Sequence, residues 1–481
     1  MSERLRPDDM AFLVTESAST PMHNATLELF EPPAGGFDYD RLVALVADRL
    51  AFVPRYRQRL RSVPGRLANP VWADDEDFDL TYHVRRSALP RPGSLEQLRD
   101  LTARILSRQL DRSRPLWEMY LIEGVEGGRF AILSKSHQIL VDGVATIDLG
   151  QVILDVDPKP KETVHVDWRP EHAPSATGLV SDAVRDSLRH PRAAVATLAG
   201  NAGSVLRTAS AVGERAGEVA GALANRRRHP ESPIAARLSE QRRFTTVATS
   251  LDDYRTVRRF HGGTVNDVIL ATVTGAMRTW LMTRAESVHG SSSLRALVPM
   301  SVIDSELEPT SLGSQVAGTP LSLPIGEASP VVRLHQVSYA LKAHKETGRA
   351  VAADRIAGVA GFAPTTFHAL GSRVAARSRR GSQLVVTNVP GPQFPLYAAG
   401  ARMTESYPVQ PLLPGHALAI GVTSYDGGVY FGLTGDRDAM PDLEVLGTCV
   451  TEALQELVDS ASPRSRAPRG RKQTSPRPVA E

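Results

Sequence analysis

The sequence is poor in cysteine, in long apolar runs and in net charge. Its 481 residues include one cysteine, Cys449, so no disulfide can form within the chain, which predicts a reducing compartment. It contains no run of about 18 apolar residues, so we expect no membrane-spanning helix. The formal charge of +3 is too small to indicate a nucleic-acid partner. The first nine residues are charged and lack an apolar signal core.

Motifs that identify several enzyme classes are also missing. The chain has no P-loop, no dinucleotide-binding glycine fingerprint, no His-Glu-x-x-His pair and no cluster of metal ligands. A hydrophobic fraction of 42% and a charged fraction of 23% nevertheless indicate a globular protein. The length is enough for two domains of ordinary size with connectors. We therefore expect a two-domain globular protein without a bound cofactor.

One stretch, residues 136–143, joins a predicted strand to a predicted turn. Apolar residues 130–133 lead into it, and Asp142-Gly143 favours a turn because Asp bonds nearby backbone and Gly accepts positive φ. The pattern predicts that His137 stands where the strand ends. A histidine in such a place can act as a general base near neutral pH, and a structural role is the alternative.

This stretch resembles the His-His-x-x-x-Asp-Gly motif of bacterial wax ester synthase/diacylglycerol acyltransferases. That family belongs with the chloramphenicol acetyltransferases and the condensation domains of peptide synthetases. Further motifs of the family occur in its order across residues 5–460: Pro115-Leu116-Trp117, residues 137–143, Val265-Asn266-Asp267-Val268, residues 388–392 and residues 430–434. Each motif alone is weak, but their order over this length identifies the family.

The resemblance implies an α/β fold with α+β mixed sheets, in which two chloramphenicol-acetyltransferase-like domains enclose a tunnel. We expect an N-terminal acyltransferase domain at 1–175, a helical crossover at 176–240, a C-terminal acyltransferase-like domain at 241–460 and a disordered basic tail at 461–481. The crossover is expected to pack on the protein, and an anionic membrane or lipid-droplet surface is the alternative. The expected location is cytoplasmic, with or without such peripheral contact.

The implied reaction moves a long-chain acyl group from acyl-CoA, a substrate and not a cofactor, to diacylglycerol or a long-chain alcohol. The family's histidine takes the hydroxyl proton as the oxygen attacks the thioester. The resemblance assigns Asp142 and Gly143 to the catalytic loop, which the aspartate holds by pairing with an arginine. It assigns Asn266 as an acceptor-positioning or oxyanion-donor group, and Asp267 and Asn388 as further substrate-binding residues. Asn388 can equally well bond the backbone of its own turn.

Gln138 stands where the family has its second histidine, the catalytic base. Glutamine can position a hydroxyl group, but it does not titrate and cannot take the proton. Neighbouring residues of a strand point to opposite faces, so His137 replaces the base only if a local bulge turns it inward. Three hypotheses remain: an acyltransferase that uses His137 or Gln138, a catalytically impaired paralogue that binds lipid or acyl-CoA, and a structural protein of lipid bodies. The retained motifs favour the first two, and Gln138 separates them.

Three other features carry expectations about the fold. His23 begins a predicted strand, where we expect partial exposure, with a place in the site as the alternative. Four arginines alternate between Arg55 and Arg61, so an extended chain would put them on one face, either solvated or anchoring the phosphates of acyl-CoA. Residues 78–85 have a strand-like pattern, and Trp117 is expected to anchor the core.

Overall fold

The computed structural model describes residues 3–140, 149–159, 168–189, 233–301, 316–346 and 382–461. The described chain contains both helices and strands. The helices are α1 Pro7–Thr15, α2 Tyr39–Arg49, α3 Leu80–His83, α4 Leu95–Leu106, α5 Leu149–Val152, α6 Ala176–Arg189, α7 Leu251–His261, α8 Val265–Thr283, α9 Pro330–Glu346 and α10 Leu443–Ala461. The strands are β1 His23–Glu31, β2 Gln58–Arg61, β3 Val71–Asp74, β4 Val84–Ala88, β5 Trp117–Val125, β6 Arg129–His137, β7 Arg242–Ser250, β8 Leu294–Ser301, β9 Val316–Leu323, β10 Leu384–Pro390, β11 Tyr397–Ala398, β12 Ala401–Val409, β13 Leu418–Tyr425 and β14 Gly428–Asp436.

The first sheet has six strands in the order β11-β12-β1-β6-β5-β4. Its neighbours pair antiparallel except β4 and β5, which are parallel. The second sheet has the order β7-β14-β13-β10-β8-β9, with β10 parallel to both β13 and β8. Both sheets are mixed, so the predicted α/β fold with α+β mixed sheets is confirmed.

Two strands of the first sheet come from the second half of the chain. After β10 the chain crosses over, and β12 pairs along β1 from Ala25–Val409 to Glu31–Arg402. Gly432 in β14 permits this crossing because a Cβ atom there would lie 1.9 Å from the carbonyl oxygen of Pro408. The predicted boundaries of the two domains therefore remain a prediction, and most of the crossover at 176–240 lies outside the described residues, as does the tail after residue 461.

Capping and apolar spacing account for the main helices. Ser94 and Gln97 form a capping box at the start of α4, and Thr264 and Asp267 form another at the start of α8. Helix α8 is buried on nearly every side and packs against α10 and α9. Gly275 allows this packing, since a Cβ atom there would lie 2.7 Å from the guanidinium of Arg333.

Two predicted strands are wrong in part. Residues Pro54–Arg57 form a 3₁₀ turn and only Gln58–Arg61 are extended, so the four arginines do not share one face. Asp79 starts helix α3 because its carboxylate accepts the Thr81 N–H at 2.9 Å. The strand predicted over residues 78–85 is therefore reduced to its last two residues, where β4 begins.

The core around Trp117 agrees with the expectation that this residue anchors it. Trp117 and Cys449 are buried, and the Trp117 indole N–H donates to the carbonyl oxygen of Tyr56 at 2.7 Å. Among the described helices, none combines the length and the apolar character needed to cross a membrane. The described residues also contain no group of three metal-ligating side chains.

Candidate active site

The Pro-Leu-Trp motif holds the end of β6. The His137 N–H donates to the carbonyl oxygen of Leu116 at 2.9 Å, and His137 is the last residue of the strand, as predicted. Behind it, His83 stacks on Trp117 with ring centroids 4.6 Å apart, and its Nδ1 lies 2.8 Å from the Trp117 carbonyl oxygen. The motif therefore fixes the backbone on which the candidate catalytic histidine stands.

Both nitrogens of the His137 ring face other groups of the protein. Nδ1 accepts the backbone N–H of Ile139 at 3.2 Å, so the ring proton must be on Nε2 when the ring is neutral. Nε2 faces the carboxylate of Glu16, with 3.5 Å between Nε2 and Oε2. The side chain of His137 is fully buried. A general base needs a free lone pair next to the substrate hydroxyl, and the described contacts leave His137 none.

Glu16 is held as a carboxylate by the groups around it. Arg112 donates to Oε2 from Nε at 3.0 Å and from Nη2 at 2.5 Å, and Met22 N–H donates to Oε1 at 3.1 Å. Burial alone would raise the pKa of Glu16, but His137, Arg112 and Met22 together outweigh it and lower that pKa to about 2. His137 thus belongs to a buried network anchored by a carboxylate that is charged at neutral pH.

Strand alternation puts this network on one particular face of the first sheet. His137 pairs directly with His23, which is buried and not partly exposed as expected. Burial, assisted by the charge of Lys135, holds the pKa of His23 well below its ordinary value. Lys135 lies two residues before His137 and donates to the carbonyl oxygens of Ile105 and Arg108, near the end of α4. The face that carries His137 therefore looks toward α4.

Gln138 begins a 3₁₀ turn immediately after the strand. Its N–H donates to the carbonyl oxygen of Met22 at 3.0 Å, so the pairing with β1 continues one step past His137. Its side chain is fully buried. Asp142 and Gly143, the other two residues assigned to this loop, lie outside the described residues.

Two residues predicted to bind substrate meet in the second half of the chain. The amide Nδ2 of Asn388 donates to Oδ1 of Asn266 at 2.8 Å, across 122 positions of sequence. Asn388 lies near the end of β10, and Asn266 lies in the first turn of α8. Both are partly exposed. The described contacts of Asn388 include this bond to a second motif, and its role toward a ligand stays a prediction.

Asp267 bonds other parts of the protein through one of its carboxylate oxygens. Its Oδ2 accepts the Thr264 N–H at 3.0 Å and the Ser338 hydroxyl at 2.8 Å. These bonds cap α8 and tie it to α9. Asp267 therefore holds Asn266 in place from the next position in the helix.

A cavity of about 240 Å³ lies beside the segment that follows β10, and residues of both sheets line it. Glu28, Met403 and Ser406 line it from the first sheet, and Ser424 and Tyr425 line it from the second. The rest of its wall consists of Gln151, Leu154, Val156, Gly391, Pro392, Phe394, Leu396 and Thr423. Glu28 and His137 belong to opposite faces of the first sheet, since β1 alternates regularly from His23 to Glu28. His137 is consequently directed away from the cavity face.

Sequence reasoning missed the partners of His137 and the cavity residues of the first sheet. Glu16 and Arg112 lie far apart in the sequence and far from the motif, so no spacing reveals them. Glu28 was visible only as a polar position in an alternating strand, which normally indicates a solvated face. The alternating arginines also have protein partners: Arg55 pairs with Glu3 at 2.6 Å, and Arg57 stacks 4.4 Å over Trp168.

Comparisons with known proteins identify the family. The sequence-family model of the wax ester synthase/diacylglycerol acyltransferase catalytic domain matches residues 5–269. The family model of the C-terminal domain matches residues 312–458. The probable diacylglycerol O-acyltransferase tgs3 of Mycobacterium tuberculosis is 46% identical over 265 residues, 54% of this chain and 96% of its own length. The probable diacylglycerol O-acyltransferase tgs2 of the same species is 33% identical over 462 residues, 94% of this chain and 98% of its own.

Solved structures agree with this assignment. The wax ester synthase/diacylglycerol acyltransferase from Marinobacter aquaeolei VT8 is 28% identical, with a TM-score of 0.65 over 95% of this chain and 99% of that one. The first condensation domain of the CDA synthetase shares the fold, at 15% identity and a TM-score of 0.52 over 96% and 97% of the two chains. This chain belongs to the wax ester synthase/diacylglycerol acyltransferase family.

Proposed function

We propose that this member of the family is an O-acyltransferase that works without a histidine base. It moves a long-chain acyl group from acyl-CoA to diacylglycerol or a long-chain alcohol. The bond between the acyl carbon and the acceptor oxygen forms, the carbon–sulfur bond breaks, and the hydroxyl proton ends on the released thiol of CoA. No acyl-enzyme is required, since no side chain acts as a nucleophile.

The observation that carries this proposal is the bond between Asn388 and Asn266. Because Oδ1 of Asn266 accepts from Asn388, its NH₂ group is directed away from that partner and presents two donors. Asn266 also lies in the first turn of the 19-residue helix α8, where the helix dipole adds positive potential. A preorganised donor of this kind can stabilise the negative charge that develops on a thioester oxygen during attack.

The hydroxyl proton needs an acceptor other than His137. The Nδ1 atom of His137 accepts the Ile139 N–H, its Nε2 faces Glu16, and the residue belongs to the sheet face opposite the cavity. We therefore propose that His137 positions the loop and that Gln138, the next residue, accepts a hydrogen bond from the acceptor hydroxyl. A positioned base contributes about 10²–10⁴-fold to a rate, so we expect slow turnover.

A second candidate function is a catalytically impaired paralogue that binds lipid or acyl-CoA. Two observations favour it. Gln138 cannot titrate, and the His137 ring faces the carboxylate of Glu16. The two candidates share every binding residue and differ only in whether chemistry follows binding.

We also propose that this protein is cytoplasmic and contacts a membrane or lipid-droplet surface. The acceptor lipid would enter the cavity from that surface. Val156 and Phe394 line the cavity, and they remain 51% and 50% exposed. Exposed apolar side chains at the edge of an apolar cavity suit the uptake of a lipid from an interface.

The test is thioester turnover by the purified full-length chain, given long-chain acyl-CoA with diacylglycerol or hexadecanol. Released thiol and ester product are both measured. We expect slow turnover by the wild type. The turnover rate should rise in Gln138→His, because a histidine there can act as a positioned base, and it should fall by about 10²–10³-fold in Asn266→Ala. Asn69→Ala is the matched control, because the Asn69 amide donates to the Leu5 carbonyl oxygen at 3.1 Å and belongs to none of the family motifs.

The outcomes separate the candidates. Turnover by the wild type that survives His137→Asn but not Asn266→Ala supports the proposal. Silence of the wild type with turnover in Gln138→His supports the impaired paralogue. Silence of both proteins contradicts the enzymatic proposal for these substrates.

A further inference from the structure

A row of buried polar side chains runs along the cavity face of the first sheet. Strand β1 contributes Asn24, Thr26 and Glu28 at alternate positions, so they share one face. The cross-strand partners on this face are Ser136 opposite Asn24, Ser134 opposite Thr26, and Ser406 opposite Glu28. All six members of this polar row are between 3% and 9% exposed. A sheet face in a protein core is normally apolar, so six neighbouring polar residues need a reason.

Two members of the polar row lack a partner within the described part of the chain. Neither the Oδ1 nor the Nδ2 atom of Asn24 has a hydrogen bond, and neither has the hydroxyl of Ser134. An unpaired amide in a protein interior is unfavourable because it has lost its water without gaining a partner. A bound ligand that carries oxygen atoms would supply the missing bonds.

The polar row connects the motif to the cavity. Its upper end, Asn24 and Ser136, lies two positions before Gln138 in the pairing of β1 with β6. Its lower end, Glu28 and Ser406, lines the cavity itself. The four steps from Asn24 to Glu28 span about 13 Å of strand. A molecule lying along this length would reach from the reaction centre into the apolar cavity.

The charge of the cavity wall indicates which substrate binds along the polar row. The described part of the cavity wall contains the carboxylate of Glu28 and no lysine or arginine. The phosphates of CoA would be repelled at this end, whereas the hydroxyl and ester groups of a neutral lipid would not. Most of the remaining wall is apolar and suits alkyl chains.

We propose that the polar row binds the oxygen atoms of the acceptor lipid, with Asn24 selecting glycerides that carry several oxygens over simple long-chain alcohols. This assignment rests on the proposed acyl transfer for its biological sense, but it concerns binding and can be measured without turnover. Asn24 donates to an ester carbonyl and accepts from a free hydroxyl, and Ser134 supplies a second donor. A simple alcohol has one oxygen, which is used at the reaction centre.

The test is equilibrium binding of 1,2-dioctanoylglycerol and of 1-decanol to the full-length chain, without acyl-CoA. Loss of one or two hydrogen bonds in Asn24→Leu is expected to weaken dioctanoylglycerol binding by about 10-fold and decanol binding by less than about 2-fold. Ser134→Ala is expected to act in the same direction with a smaller effect. Thr102→Val is the matched control, since the Thr102 hydroxyl is also buried without a partner but lies on α4, outside the polar row.

Thermal unfolding supplies a second readout. Replacing the unpaired Asn24 amide by leucine is expected to keep or raise the unfolding temperature, because leucine needs no hydrogen bonds. If Asn24→Leu unfolds at a lower temperature, Ser134→Ala decides the test, because it removes a single oxygen atom. Loss of glyceride binding alone in Ser134→Ala then supports the proposal, and unchanged glyceride binding overturns it.

The results distinguish this inference from the proposed reaction. Unequal loss of the two ligands in Asn24→Leu supports the polar row even if no variant turns over acyl-CoA. Equal loss of both ligands, or unchanged glyceride binding, overturns it even if the wild type is an active acyltransferase.

Discussion

Replacing Glu16 by glutamine removes the charge that anchors His137, and its effect on stability can be worked from the structure. The pKa of Glu16 falls from an ordinary 4.5 to about 2 because its contacts with His137, Arg112 and Met22 outweigh burial. A difference of that size corresponds to about 3 kcal/mol in favour of the folded protein. Glutamine keeps an acceptor for the Met22 N–H, so this figure is an upper value.

The pH dependence has a definite sign. A carboxyl group with a lowered pKa stabilises the folded state fully above its unfolded pKa, near 4.5, and loses that contribution as the pH falls toward 2. The part of the difference between wild type and Glu16→Gln that comes from the Glu16 charge should therefore be complete at neutral pH and shrink below pH 4.5. Neutral, buried His23 also makes the fold less stable below its ordinary pKa, and because the Glu16 charge raises the pKa of His23, this loss is larger in Glu16→Gln than in the wild type.

The assay is urea unfolding of both proteins at several pH values between 7 and 3.5. Glu3→Gln is the matched control, because the Glu3 carboxylate also pairs with an arginine, Arg55, but is 59% exposed. An exposed pair contributes at most about 1 kcal/mol. A difference for Glu16→Gln that is no larger than that of Glu3→Gln, or that does not change with pH, would refute the buried network around His137.

Two further predictions concern the segment that follows β10 and the buried ion pair between Arg49 and Asp155. Gly391→Ala should destabilise the fold by about 1–3 kcal/mol, because its Cβ would lie 1.9 Å from the Ser424 carbonyl oxygen, whereas Gly35→Ala meets no atom within 4 Å and should be neutral in the same thermal unfolding assay. Arg49→Met should cost about 3–5 kcal/mol in urea unfolding, since it leaves Asp155 buried without the partner that binds it at 2.8 Å. The double variant Arg49→Met with Asp155→Leu should recover most of this loss, and failure to recover it would contradict the electrostatic explanation.

Much of the fold follows from local sequence patterns. The β5–β6 hairpin and the helix after Gly262-Gly263 are predictable because apolar periodicity and capping residues specify them locally. The strands that complete the first sheet are not, since β11 and β12 reach it by a crossover from the far half of the chain. Helix α3 was missed because one Asp79 cap overrides a strand-like run of four residues.

The candidate site was predictable only where motifs are contiguous. His137 at a strand end and Asn266 at a helix start follow from their neighbours in sequence. The bond between Asn266 and Asn388 and the pairing of His137 with Glu16 join distant segments, so only the three-dimensional fold brings them together. The burial of the polar positions of β1 was not predictable for a related reason, because alternation alone does not show whether a polar face meets water or the protein interior.

The order of the two residues His137-Gln138 matters more than their composition. A strand directs neighbours to opposite faces, so a histidine one place earlier than the catalytic position cannot reach the substrate by rotating its side chain. It would need a bulge in β6, but the register of β1 with β6 is unbroken from Phe30 to His23, and Gln138 continues it through Met22. His137 also has partners to lose, Ile139 and Glu16, if it turned. We therefore expect that a base can be restored at position 138 and not at position 137.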